Sequence, residues 1–240
     1  MNKIHLLDNG LINKIAAGEV VERPASVVKE LMENSIDAGA TSITVEIAEG
    51  GTSVIKITDN GKGIPKDEIR TAFMRHATSK IDSFEDLENV LTLGFRGEAL
   101  SSIASVAQVE MLTRTENDSM GTRIVINGGV VDREEECAAN VGTVFYVKNI
   151  FFNTPARRKF LKKPATEGSY ISEIVNRIAL GHPNIAIKYI NNGNIVLQTN
   201  GDGNVKNSLF YIYGKDIASK MLNLESEKRG LYTKRSCWQT

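Results

Sequence analysis

Two short stretches, ITVEI and SVIKITD, constrain the architecture most, because each alternates apolar and polar side chains. Ile43, Val45 and Ile47 alternate with Thr44 and Glu46, and Ile55 and Ile57 share a face with Asp59. Strands of period two have one buried and one solvated face, which predicts an antiparallel or mixed sheet. The intervening EGGTS is hairpin material. Just upstream, PASVVKELMENSIDAGA reads as an amphipathic helix, with Pro24 suited to the first turn and Asp37-Ala38-Gly39 to the end.

The same alternation of helices and hairpins continues. A short helix is expected around Asp67 to Phe73, a polar stretch RHATSKIDS comes next, and a second short helix is expected near Glu85 to Val90. GFRGEALSSIASVAQV reads as a glycine-bearing turn opening a helix. A hairpin turns at Asn127-Gly128-Gly129, GTVFYVKNIF gives another strand, and SYISEIVNRIALGHP carries Ile171, Ile174, Val175 and Ile178 at helical spacing before Gly181 and Pro183 stop it. IAIKY and IVLQT flank NNGN as one more hairpin. This order predicts an α+β two-layer sandwich, a mixed and largely antiparallel sheet with helices on one face.

At 240 residues the core is large enough to fold without disulfides, and Cys137 and Cys237 form neither a framework nor a metal spacing. The 29 basic and 29 acidic side chains cancel, so no whole-molecule field points to nucleic acid, and any such surface must be local. No stretch approaches the roughly 18 apolar residues of a membrane helix. The start MNKIHLLDNG lacks the apolar run of a signal peptide, and the expectation is a reduced, cytoplasmic protein.

Three places offer groups that a ligand would use. In the first helix Val27, Val28, Leu31 and Ser35 span one arc, Lys29 and Glu33 lie opposite as the solvent face, and Glu30 and Asn34 fall beside Val27. Such groups need partners, either backbone or ligand. Asp59 ends its strand against Gly61 and Gly63 in DNGKGIP, facing inward; it either caps its own turn or accepts a hydrogen bond from a neutral donor such as the amine of a flat base. In GFRGEAL, Gly94 and Gly97 leave backbone N–H groups outward at a helix start, with Arg96 adding charge, which suits phosphate; a glycine-capped turn is the plainer alternative. Thr78, Ser79 and Lys80 add two hydroxyls and an ammonium. Together these predict a nucleotide site, with adenine at Asp59, phosphates at Gly94 to Leu100 and the Glu30/Asn34 face between them. Asn34 would ligate Mg²⁺ through its amide oxygen, and Glu30 would orient and deprotonate water. There is no G-x-x-x-x-G-K-[ST], so this is not a P-loop ATPase. His76 has no ligand spacing around it, and a hydrogen bond is expected there.

The runs IAAGEVVERPASVVKELMENSIDAGA, TDNGKGIP, RHATSKI, LGFRGEALSSIASV and NTPARRKFL, in this order and spacing, resemble the N-terminal ATPase region of the MutL family of DNA mismatch repair proteins. That family shares its GHKL (Bergerat-type) ATP-binding fold with DNA gyrase, a heat-shock chaperone and histidine kinases. The resemblance covers Ile4 to Leu224 and implies ATP and Mg²⁺ as cofactors. It implies Glu30 as general base, Asn34 as the Mg²⁺ ligand, and Asp59 as the acceptor for the adenine amine, helped through water by Thr143 and flanked by Gly61 and Gly63. It also implies a lid made of Thr78, Ser79, Lys80 and the run Gly94, Phe95, Arg96, Gly97, Glu98, Ala99 and Leu100. Lid closure would accompany homodimerisation, with Ile15 to Val20 contributing, to form a DNA clamp that relays mismatch recognition by MutS to downstream repair factors; such a protein is nucleoid-associated when acting on DNA.

NTPARRKFLKKP reads as a basic loop, holding Arg157, Arg158, Lys159, Lys162 and Lys163 with no acid between Asn149 and Ala165. It is either a solvated face or a weak, sequence-independent DNA contact, and Asn153 to Arg157 have the alternative of serving the fold. The domain expectation is an ATP-binding unit over 1–203 and, over 204–240, a linker marked by QTNGDGN and the opening strand and helix of an incomplete ribosomal-S5-like transducer domain. The family's second domain supplies a lysine to the γ-phosphate beyond residue 240, and the tail GLYTKRSCWQT departs from the family's pattern, whose strand there runs on into more apolar sequence. An alternative function is therefore a nucleotide-binding interaction fragment that does not hydrolyse ATP; a kinase of the same superfamily lacks a phospho-acceptor histidine segment.

Overall fold

The computed structural model describes residues 20–77, 97–228 and 231–238, with side chains described for 20–77 and 97–220. The expected helix at 85–90 lies outside the described residues. Helix α1 (Pro24–Asp37) starts on Pro24, where a missing N–H costs nothing, and ends at Ala38, whose N–H donates to Asn34 O at 2.9 Å. Gly39 comes next with φ +76°, the left-handed conformation that stops helices. Strand β1 (Ser42–Ala48), a 3₁₀ turn at Glu49–Gly51 and strand β2 (Val54–Asp59) form the predicted hairpin. Helices α2 (Ile69–Ala72) and α3 (Ala99–Val106) precede β3 (Gln108–Arg114), β4 (Gly121–Asn127), β5 (Val130–Cys137) and β6 (Gly142–Lys148). Helices α4 (Pro155–Phe160) and α5 (Pro164–Gly181) lead to the hairpin β7 (Ala186–Asn191) and β8 (Asn194–Gln198).

These strands form one sheet in the order β5-β4-β3-β6-β2-β1-β7-β8. Every neighbouring pair is antiparallel except β1 and β7, which run parallel from Ser42↔Ala186 to Ile47↔Asn191. The sheet is therefore mixed and largely antiparallel. Helices α1, α3 and α5 bury Val27, Val28, Leu31, Ile103, Ile171 and Val175 in one core with the inward row of the strands, Ile43, Val45, Ile55, Ile57, Met111 and Phe145. The outward row is charged. Lys56 Nζ donates to Glu46 at 2.7 Å, and Glu110 takes Arg123 at 2.7 Å and Lys148 at 3.0 Å.

Some expectations are corrected. Glu33 is 8% exposed rather than solvent-facing, because α1 packs against α5 and α3 as well as the sheet; its carboxylate accepts from Lys29 Nζ at 2.8 Å. The residues 108–114 that extend the apolar run after α3 form strand β3, an interior strand of the sheet between β4 and β6. The basic stretch is not all loop: Pro155 opens the short helix α4, and α5 begins at Pro164, before the first residue of the expected segment. After residue 204 the chain forms α6 (Val205–Tyr213), α7 (Lys215–Ala218) and a separate hairpin of β9 (Met221–Lys228) and β10 (Leu231–Trp238), so a helix and not a strand comes first. Gly203 N donates to Pro183 O at 2.9 Å, and Ile212 of α6 packs on the main core, tying the expected linker and its helix to the first unit.

Candidate functional site

Asp59 is the last residue of β2 and points to the core side, as its alternation with Ile55 and Ile57 requires. It is 8% exposed, and its carboxylate accepts from three protein donors, which leaves acceptor capacity for one more. Oδ1 accepts from Gly61 N at 2.9 Å and Thr143 N at 3.2 Å, and Oδ2 accepts from Ser35 Oγ at 2.7 Å. The aspartate caps its own turn through Gly61 N, and it also lines a cleft. Burial pushes its pKa above the ordinary value, and the bonds from Ser35, Gly61 and Thr143 oppose that rise. Ser35 also lies 3.1 Å from Leu31 O, but its single proton goes to the nearer, charged acceptor.

The sheet register brings a row of polar side chains to this corner. Asp59 pairs with Thr143, Thr143 with Thr113, and Thr113 with Thr122, so four adjacent strands place them abreast on the buried face. Gly63, at φ +72°, lets the DNGKGIP loop lie against the end of β3: a Cβ there would sit 2.2 Å from Arg114 O. Gly142, at φ +114°, is as constrained, with its would-be Cβ 2.2 Å from Asp59 O. Asn60 turns the other way, accepting Thr41 N and Ser42 N at 2.9 and 2.8 Å, and so ties the loop to the entry of β1.

The cleft beside this corner is lined by Glu30, Asn34, Asp37, Asp59, Gly61, Gly63 and Thr143, together with Gly97, Glu98, Ala99 and Leu100 from the start of α3. Glu30 and Asn34, one helical turn apart, are half-buried at the edge of α1. Glu30 Oε1 lies 3.3 Å from Lys29 Nζ. Burial lowers the Lys29 pKa, but Glu33 and Glu30 outweigh it and hold the ammonium's pKa above its usual value. Gly97, at φ +61°, packs against Ala77, with a would-be Cβ 2.5 Å from Ala77 O. Glu98 precedes α3, and its Oε1 lies 3.2 Å from His76 Nδ1. Val20 also lines the cleft.

Thr78, Ser79, Lys80, Gly94, Phe95 and Arg96 lie outside the described residues, as do 15–19 of the expected dimer segment. None of Arg157, Arg158, Lys159, Lys162 and Lys163 lines the cleft. Arg158, Lys159, Lys162 and Lys163 are exposed and, among the described residues, in no ion pair, whereas Arg157 is half-buried. Asn153 serves the fold, donating from Nδ2 to Ser105 O at 2.9 Å. Sequence reasoning missed Ser35 as a partner of Asp59 and missed Thr113. Only the serine had a signal, a hydroxyl on an otherwise apolar arc. Among the described residues there is no cluster of three His, Cys, Asp or Glu side chains fit to hold a metal, and no helix long and apolar enough to cross a membrane.

Residues 22–141 match the family described as histidine kinase-, DNA gyrase B-, and HSP90-like ATPase. The DNA mismatch repair protein MutL of Agathobacter rectalis is 57% identical over 95% of this chain and 35% of its own length. MutL of Caldanaerobacter subterraneus subsp. tengcongensis is 53% identical over 98% of this chain and 40% of its own. The Aquifex aeolicus MutL ATPase domain complexed with ADP superposes with a TM-score of 0.70 at 30% identity, covering 86% of this chain and 73% of that one. The chain thus spans well under half the length of the MutL relatives it matches. From the family match over residues 22–141 and the mixed, helix-covered sheet shared with that ATPase domain, the chain belongs to the MutL family of mismatch-repair ATPases, in its N-terminal ATPase domain.

Proposed function

We propose that this chain binds ATP with Mg²⁺ and that, as part of a longer protein, hydrolysis drives a DNA clamp in mismatch repair. The observation that carries it is the Asp59 corner: a buried carboxylate with three protein donors, opening on a cleft that Glu30 and Asn34 also line. The adenine amine would donate to Asp59, with Thr143 beside it and the bare backbone of Gly61 and Gly63 against the base. Asn34 fits Mg²⁺ as a single neutral oxygen ligand, since this ion keeps waters and phosphate oxygens and needs no carboxylate cage. When bound, the ion supplies neutralisation of phosphate charge. Glu30 would take the proton of the attacking water. Gly97 to Leu100 would face the phosphates, with Thr78, Ser79, Lys80 and Gly94 to Arg96 completing a lid whose closure accompanies homodimerisation through residues that include Ile15 to Val20. The Aquifex aeolicus ATPase domain holding ADP supports the nucleotide assignment. Mismatch recognition by MutS upstream, repair factors downstream, a cytoplasmic and nucleoid location, and a boundary near 203 leading into a transducer domain are proposed with it.

Equilibrium binding of a non-hydrolysable ATP analogue with Mg²⁺ tests the site. Saturable binding is expected, lost in Asn34→Ala and retained in Glu30→Ala. Turnover by a chain extended through the second domain should fall about 10²- to 10⁴-fold in Glu30→Ala, the range of a lost general base. Normal turnover there would remove Glu30 from that role. Binding without turnover by residues 1–240 would instead favour the non-hydrolysing fragment.

Arg158, Lys159, Lys162 and Lys163, exposed and in no ion pair among the described residues, support a separate, weak contact with DNA phosphates, with Arg157 beside them. Neutralising Arg158, Lys159 and Lys162 together should reduce the slope of log affinity against log salt by about 2 to 3. An unchanged slope would leave the stretch as a solvated face.

A further inference from the structure

Thr113 does not line the cleft and is 1% exposed, yet its hydroxyl meets three groups. Ile64 N lies 2.9 Å from Oγ1, Gly142 O 3.1 Å, and Thr143 Oγ1 3.1 Å. A hydroxyl has one proton and two lone pairs, and here two of the three roles are dictated by the partners. A backbone N–H only donates, so Thr113 accepts from Ile64. A carbonyl only accepts, so Thr113 gives its proton to Gly142 O. The one role left is acceptance from Thr143. Reversing that bond would take the proton from Gly142 O and leave two oxygens facing each other 3.1 Å apart through lone pairs in a site without water access, which burial makes costly.

The consequence falls on Thr143, which does line the cleft. Its proton is turned toward Thr113 and its free lone pairs toward the ligand. Asp59, abreast of it on β2, presents a carboxylate. Among the described residues, the Asp59 and Thr143 side chains thus offer the cleft acceptors and no donor between them. A purine with an exocyclic amine at the recognised position, as in adenine, supplies the donor such a corner needs, directly or through a bridging water. One with a carbonyl there, as in guanine, meets only oxygen lone pairs. We propose that Thr113 is a positioning residue for base specificity: by fixing the direction of the Thr143 hydroxyl, and by holding the DNGKGIP loop through Ile64 N, it makes the site select an adenine over a guanine nucleotide. The inference rests on the proposed nucleotide site and adds to it a residue that never touches the base.

The test is competition binding of non-hydrolysable ATP and GTP analogues with Mg²⁺ to the full 240-residue chain, unmodified and as Thr113→Val and Thr113→Ser. Valine keeps the volume and removes the hydroxyl. It frees the Thr143 proton to face the cleft and donate to a carbonyl, so the preference for the ATP analogue should fall about tenfold, the size of one hydrogen bond. Serine should restore the preference. Thr113→Ala, compared in the same way, covers failure of the valine variant to fold, with circular dichroism checking each protein. An unchanged preference in a folded variant, or a proportional loss for both nucleotides, overturns the inference while leaving the nucleotide site standing. Failure of the unmodified chain to bind the ATP analogue overturns both.

Discussion

Thr113 and Glu110 belong to the same strand and face opposite sides of it, and the two sides handle polar groups differently. On the core side, Thr113, Thr143 and Asp59 are at most 8% exposed and are tied into one hydrogen-bonded row. On the outer side, Glu110, Arg123 and Lys148 form ion pairs with side-chain exposures of 20–43%. Water can replace any partner lost on the outer face, whereas nothing replaces one lost inside. Inner polar groups are therefore expensive to keep, and those that persist beside a cleft point to a ligand. The two faces even differ in the sign of their acid chemistry. Burial raises the pKa of Asp59; at Glu110 burial also acts upward, but Arg123 and Lys148 prevail and the pKa is lowered.

Replacing Asp59 gives the largest expected contrast. Asp59→Asn keeps an acceptor for Gly61 N and Thr143 N, and its amide can donate to Ser35 Oγ, whose proton then has Leu31 O as its acceptor. The fold should survive while affinity for the ATP analogue falls about 10- to 100-fold, the cost of losing a charge-assisted hydrogen bond. The raised pKa sets the sign of the pH dependence. Such an acid favours folding while protonated, and that contribution is lost as pH rises through its folded-state value, above the ordinary 3.8. At neutral pH the ionised carboxylate thus works against stability, and Asp59→Asn should melt no lower than the unmodified chain, with any gain shrinking on acidification. Unchanged nucleotide affinity, or a melting temperature many degrees lower, would break the contrast between a functional inner face and a merely structural one.

How much of this was legible depended on how far apart in sequence the deciding groups lie. The hairpins at Asn127-Gly128-Gly129 and Asn192-Gly193 were readable because left-handed backbone is written locally, and Gly128, Gly129, Asn192 and Gly193 all have positive φ. Pro24, the inward Asp59 and the one-sided alternation of β1 and β2 were readable for the same reason. Strand β3 was not: its apolar residues continue the run from α3 with only Ala107 between them, so local period assigns them weakly. With β3 unread, Thr113 had no place, since its role comes from a register with β6, a strand about 30 residues away. Glu33 failed for a related reason, because a helical wheel shows which side faces the sheet but not that neighbouring helices cover the rest. The clefts and partners that make a site are non-local, and motif resemblance supplied what periodicity could not.

The outer face should yield the smallest effect, with the opposite pH sense. Glu110→Gln removes the charge that accepts Arg123 Nε at 2.7 Å and Lys148 Nζ at 3.0 Å but leaves a polar side chain in contact with water. An acid with a lowered folded-state pKa contributes stability that is present above its unfolded value, ordinarily 4.5, and is lost as pH falls through the folded one. Glu110→Gln should therefore cost about 0.2–1 kcal/mol at neutral pH, a drop of a few degrees in melting temperature at most. The difference should shrink in acid and in molar salt, where exposed pairs are screened. Nucleotide affinity should not change, although Glu110 shares its strand with Thr113. A salt-independent loss of several kcal/mol would mean that this face is packed against something, and an altered nucleotide affinity would mean that the two sides of β3 are coupled rather than separate.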